Sequence, residues 1–118
     1  MKNKPVYSLI VTLVNRGFSD EVMNAARNAG AKGGTIINAH GTNLGDEERF
    51  FGISIQPEKE IVLILTTDEN RPVIMSEIVT HIGLGTAGAG ITFSLPVTDV
   101  EGIKRITDLD DEEDADND

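Results

Sequence analysis

Two apolar sets alternate between Val6 and Val14: Tyr7, Leu9, Val11 and Leu13 point one way, and Val6, Ile10 and Val14 the other. Side chains on a strand switch faces at every residue, so this segment is expected as a strand that is apolar on both sides. The period then changes. In FSDEVMNAARNAG, Phe18, Val22, Ala25, Ala26 and Ala29 recur at helical spacing, which predicts an amphipathic helix of about three turns. Ser19 is its expected N-cap, Asp20 and Glu21 suit the positive end of its dipole, and Gly30 suits the position past its last turn. GGTIINAHGT reads as a second strand, bounded by Gly33 and Gly34 before it and by Gly41 after it.

Residues 42–49, TNLGDEER, are polar and turn-like, and FFGISI resumes apolar character before a break at Gln56 and Pro57. EIVLILTT is a third strong strand with apolar residues on both faces. Asp68 or Asn70 can cap the helix that follows, and Pro72 is tolerable only in its first turn. Ile74, Met75, Ile78, Val79 and Ile82 form its expected buried stripe, Gly83 ends it, and Ile91 to Val97 is the last strand.

The order is β-α-β, a loop excursion, then β-α-β. This predicts an α+β fold of the ferredoxin-like βαββαβ kind, with two helices on one face of the sheet. It also decides how GLGTAG, residues 83–88, is read. The run fits the G-x-G-x-x-G spacing of a dinucleotide-binding turn, yet it follows a helix and precedes a strand, the reverse of the order that fingerprint requires, and it lacks the P-loop lysine. Two readings of the glycines stay open: positions for positive φ or close packing, or a run of unobstructed N–H groups that binds phosphate oxygens. Two helices can cover one sheet face only. Because the first and third strands are apolar on both faces, the second face is expected to pack against copies of the same chain in a closed ring.

At 118 residues the chain is expected to form one domain. No run of about 18 apolar residues suggests a membrane span, and the N-terminal apolar run lacks a small-residue cleavage site. With no cysteine there is neither a disulfide nor a thiolate metal site, which suits a cytoplasmic location. The net charge of −10 is largely local: residues 108–118, DLDDEEDADND, hold eight of the twenty acids and no base. The expected division is therefore a domain over 1–106 and a disordered, solvated acidic tail over 107–118. A nearly neutral body argues against nucleic-acid binding, which needs a basic footprint.

The combination of GAKGGTIINAHGT, a loop, PEKEIVLILTTDE, a helix and GTAGAGITFSLPV resembles the PII family of nitrogen-regulatory signalling proteins and their PII-like relatives, across roughly residues 5 to 105. The resemblance implies a homotrimer with clefts between subunits that bind adenine nucleotides, no covalently bound cofactor, and a long loop between the second and third main strands that docks onto targets such as transporters or enzymes. Carried onto this chain, it assigns Thr35 to the adenine contact, Gly41 to the root of the loop over 42–56, and Gly85, Gly88 and Gly90 to the phosphate-binding turn. His40, at the end of its strand beside the loop, and Thr86, within the turn, complete the expected ligand contacts. The expected partner-contacting residues are Asn43, Leu44, Glu48, Arg49, Phe50 and Phe51.

Departures from the family pattern bear on the ligand. The family's turn has lysines where this chain has Thr86 and Ile91, and an arginine pair beyond the final strand is not reproduced, with Gly102 and Lys104 nearest and Arg105 close by. Each cation that is missing withholds roughly 1.5–3 kcal/mol of charge-assisted hydrogen bonding from a triphosphate. A mononucleotide, a cyclic nucleotide or a small anion suits the remaining residues better. The loop is shorter than usual and has no tyrosine, the sole one being Tyr7, so tyrosyl modification is not expected.

The first expectation is thus a non-enzymatic, PII-like signalling protein. A small oligomeric enzyme using the same clefts is a rival, but Ser19 and Ser54 lack a candidate base nearby in sequence, and the carboxylates Asp46, Glu47 and Glu48 sit in a polar loop. A metal-responsive trimeric scaffold is another, although His40 and His81 are the only histidines and the acidic tail has no fixed ligand geometry.

Overall fold

Strand β1 (Tyr7–Asn15) forms where the alternation is longest, and it lies between two antiparallel neighbours, β5 (Glu58–Thr67) and β6 (Ile91–Val97). Strand β2 (Thr35–His40) adds to the outer side of β5, so the sheet order is β2-β5-β1-β6. Helix α1 (Ser19–Asn28) joins β1 to β2, and α2 (Arg71–Ile82) joins β5 to β6. This is the ferredoxin-like α+β arrangement. The computed structural model describes residues 6–41, 48–50, 53–55 and 57–102, with 48–50 and 53–55 described as backbone. The segment read as a loop excursion contains a small hairpin of its own, β3 (Glu48–Phe50) paired with β4 (Ile53–Ile55). The acidic tail lies outside the described residues.

Both helices lie on one face of the sheet. Ile10 and Val14 of β1 and Val62 and Ile64 of β5 meet Val22, Ala25 and Ala26 of α1 and Ile74, Ile78 and Ile82 of α2 in a single buried cluster. Phe18, Met23, Ala29 and Met75 pack at its margin. The expected stripe on α2 is therefore narrower than its apolar residues suggest: Val79 is 51% exposed, because a ridge at four-residue spacing, Ile74-Ile78-Ile82, suffices to reach both the sheet and α1.

The opposite face has no helix. The strand registers align Leu9 with Leu65 and Leu95, Val11 with Leu63 and Phe93, and Leu13 with Ile61 and Ile91, with Ile37 of β2 beside Ile61. Each row is apolar from strand to strand. Phe93 is 43% exposed and Leu95 48%, a contiguous apolar surface of the kind that marks an interaction face.

The helix starts differ from the capping expected from sequence. Ser19 is the first residue of α1 rather than its cap, and neither Ser19 nor Asn70 makes a side-chain capping bond. A carboxylate from β5 caps α1 instead: Glu60 Oε1 accepts the N–H groups of Gly17 at 2.6 Å and Ser19 at 3.4 Å, and Glu60 Oε2 accepts the Ser19 hydroxyl at 3.1 Å. A charge-assisted acceptor aimed at the positive end of a helix outcompetes a neutral serine oxygen. At α2, Asp68 is engaged elsewhere, accepting from Ser8 Oγ at 3.0 Å and from Arg71, while Asn70 donates its N–H to Thr67 Oγ1 at 3.3 Å. Pro72 stands in the first turn, where its missing N–H costs nothing.

Candidate functional site

The end of the sheet at which β1 and β2 finish and β5 and β6 begin also receives the glycine turn that follows α2. The turn is closed from within: Thr86 donates its N–H and its hydroxyl to the Gly83 carbonyl at 3.0 and 2.8 Å, Ala89 donates to the Thr86 carbonyl at 3.0 Å, and Gly90 donates to the Ile82 carbonyl at 2.7 Å. These bonds leave out the N–H groups of Gly85, Ala87 and Gly88. Asn15 fastens the turn from outside, with its N–H on the Gly88 carbonyl at 2.9 Å and its Nδ2 on the Ala87 carbonyl at 3.1 Å.

Close packing, and not positive φ, explains two of the glycines. A Cβ on Gly90 would stand 2.3 Å from the Ile82 carbonyl oxygen, and one on Gly88 would stand 2.5 Å from Ile82 Cγ2. Neither residue has positive φ; in this turn that conformation belongs to Ala89, at +47°. Gly85 is different, since a Cβ there meets nothing within 4 Å. Packing therefore accounts for Gly88 and Gly90, and leaves Gly85 without such a role.

A cavity of about 430 Å³ opens beside the turn, lined by Leu13, Ala39, His40, Gly41, Pro57, Lys59, Ile61, Ala89 and Ile91. It lies at the end of the uncovered apolar face, to which Leu13, Ile61 and Ile91 belong. A second cavity, of about 290 Å³, adjoins it through His40, Ala39 and Lys59 and is bounded further by Arg16, Asn38 and Glu58. The structure thus brings His40 and Gly41 together with the turn that carries Gly85, Thr86, Gly88 and Gly90. Thr35 stands at the far end of β2, opposite Leu63, about 17 Å away in a strand of this length. Of the expected partner-contacting residues, Glu48, Arg49 and Phe50 are placed on β3 as backbone, and Asn43, Leu44 and Phe51 lie outside the described residues.

Two residues at this site have no role in the reading from sequence. Lys59 reaches both cavities and donates its ammonium to Asn15 Oδ1. Asn15 therefore joins the glycine turn to the cation. The signal for Lys59 is visible in EKEIVLILTT: strict alternation puts it on the same face as Ile61, Leu63 and Leu65, a lone charge on an apolar row. Nothing local marks Asn15, because its partners are 44 and 72 residues away along the chain.

The remaining polar groups are structural. Glu60 is held below its ordinary pKa, first by the Gly17 N–H, against the opposing effect of burial, and then by the Ser19 hydroxyl and N–H and the charge of Arg16. It is an ionised helix cap and a poor proton acceptor for Ser19, whose hydroxyl it holds in place. His81, in the last turn of α2, faces Glu77 at 3.3 Å. Among the described residues no group of three or more histidine or carboxylate side chains is placed to hold a metal ion, and no helix is long and apolar enough to cross a membrane. Tyr7 is buried in β1.

No protein-family model and no curated relative matches the sequence. Solved structures do match the fold. Arabidopsis thaliana PII bound to citrate superposes with a TM-score of 0.66 at 21% identity, covering 85% of each chain. GlnK of B. subtilis in its ATP complex superposes with a TM-score of 0.62 at 13% identity, covering 79% of this chain and 84% of that one. Four antiparallel strands in the order β2-β5-β1-β6, two helices on one face and a glycine turn leading into β6 are what this chain has in common with them, and in fold it is a PII-like protein.

Proposed function

We propose that this chain is a non-enzymatic signalling protein that binds a small anionic effector, an adenine nucleotide or an anion of similar charge, in clefts between the subunits of a homotrimer. The observation that carries this reading is the cavity of about 430 Å³ at the end of the uncovered sheet face. Its volume falls within the ~300–1,000 Å³ of small-molecule sites. It is bounded by apolar residues, a turn with spare N–H groups and a lysine, the mix expected where an anion is held against a low-dielectric wall. Its position on a face that a sister chain would cover makes it an inter-subunit cleft. Thr35, remote from the turn within one chain, belongs to the neighbouring cleft in this arrangement. That a PII structure holds citrate and a GlnK structure holds ATP supports an anionic effector here.

The effector acts by linkage. It shifts the segment 42–56 between states only to the extent that it binds one of them better, and that segment contacts the regulated partner, a transporter or a metabolic enzyme, with nitrogen metabolism as the setting. A thermal-shift screen with ATP, ADP, AMP, cyclic AMP and citrate, followed by titration calorimetry, tests the effector. Saturable binding of at least one, raising Tm in proportion to the logarithm of its concentration, is expected. Failure of all five to bind the assembled protein would remove the proposal.

A further inference from the structure

Among the described residues, Lys59 has the only cationic side chain that reaches the cavity beside the glycine turn, and it forms no ion pair. Its ammonium rests on a neutral amide oxygen, that of Asn15. Arg16, in the adjoining cavity, is by contrast already paired with Glu58. A lysine charge on an apolar face, balanced by no carboxylate, is poorly satisfied by one amide and is available to an incoming anion. The turn itself supplies N–H groups but no charge, since Thr86 and Ile91 stand on either side of its glycines.

The stem of Lys59 is also positioned. It lies along Gly41, where a Cβ would be 3.1 Å from Lys59 Cε and 3.2 Å from Cγ. The Gly41 backbone cannot easily retreat, because its N–H is bonded to the Pro57 carbonyl at 2.8 Å. The absence of a side chain at Gly41 therefore sets the path of the lysine from β5 to Asn15 and the turn.

We infer that Lys59 is the cation that contacts the bound anion, phosphate or carboxylate, replacing charge that the glycine turn does not carry, and that Gly41 and Asn15 position it. This rests on the anion-binding reading of the same cavity. On binding, the ammonium turns from the Asn15 oxygen to an oxygen of the ligand, while Asn15 keeps the turn beside it.

The test is titration calorimetry of the full-length protein with ATP, ADP and inorganic pyrophosphate at fixed ionic strength. Lys59→Met, which keeps the stem and removes the charge, is expected to weaken binding about 10- to 100-fold, and Lys59→Arg to restore most of it. Gly41→Ala is expected to weaken binding in the native background and to have no further effect in the Lys59→Met background, the non-additivity of residues acting through one contact. A readout that needs no substitution is amine-reactive footprinting, in which Lys59 should lose reactivity when a probe is bound. Equal affinity of wild type and Lys59→Met, or unchanged Lys59 reactivity in the complex, overturns this inference and leaves the proposed function standing. No binding of any probe by the wild type overturns both.

Discussion

A carboxylate that accepts two amide hydrogens and a hydroxyl at the start of a helix, as Glu60 does, ties α1 to β5 through a charge and not through an apolar contact. Its folded-state pKa is lowered from an ordinary value of about 4.5, chiefly by the Gly17 N–H. The stabilisation is therefore complete above that ordinary value and is lost as pH falls through the lowered one. Glu60→Gln should cost about 1 kcal/mol at neutral pH, as loss of a helix cap does, and the gap between variant and wild type should narrow in urea melts carried down to about pH 3. A gap that stays constant with pH would mean that the charge is not what holds the helix start. Ser19, the residue that sequence alone nominates as cap, is not the cap, because capping chemistry is local in its statistics and here is supplied from 41 residues away.

At the scale of elements, the glycine turn separates two functions that share one spacing. Gly90 sits against the Ile82 carbonyl and Gly88 against the Ile82 side chain, so these residues let the end of α2 and the start of β6 approach each other. The parallel bridge between Gly83 and Gly90 is that approach in hydrogen-bond form. Gly90→Ala should destabilise the protein by about 1–3 kcal/mol, as overpacking of a close contact does. Gly85→Ala, with open space around it, should stay within about 0.5 kcal/mol of wild type in the same denaturation measurement. Similar costs at the two positions would argue against a division of roles within the turn. The motif is legible as a helix-to-strand turn from element order alone, but which glycines pack and which stay open depends on Ile82 and Phe18, which the spacing does not report.

For the whole molecule, the decisive feature is a sheet with one helix-covered face and one bare apolar face. Leu65, Ile91, Phe93 and Leu95 are all more than a third exposed, and β2 is paired on one side only. Burial of such a surface against sister chains is worth roughly 25 cal/mol for each Å² removed from water, which favours a stable closed assembly. Sedimentation velocity at micromolar concentration should give a species larger than one chain, and Phe93→Asp, placing a charge at the centre of the face, should release single chains. A wild type that sediments as a single chain would count against both the assembly and the inter-subunit cleft.

The order of the main elements, the doubling of a β-α-β unit and the two-faced apolar character of β1 and β5 follow from the sequence by itself, because periods of two and of 3.6 residues are local properties of the backbone. The site is another matter. Asn15 meets Ala87, Lys59 meets Asn15 and Glu60 meets Gly17 across separations of 72, 44 and 43 residues. No periodicity encodes such pairs. Only the strand order, which sets the end of β1 between the start of β5 and the glycine turn, brings a lone lysine, an asparagine and the spare N–H groups of the turn to one end of the sheet.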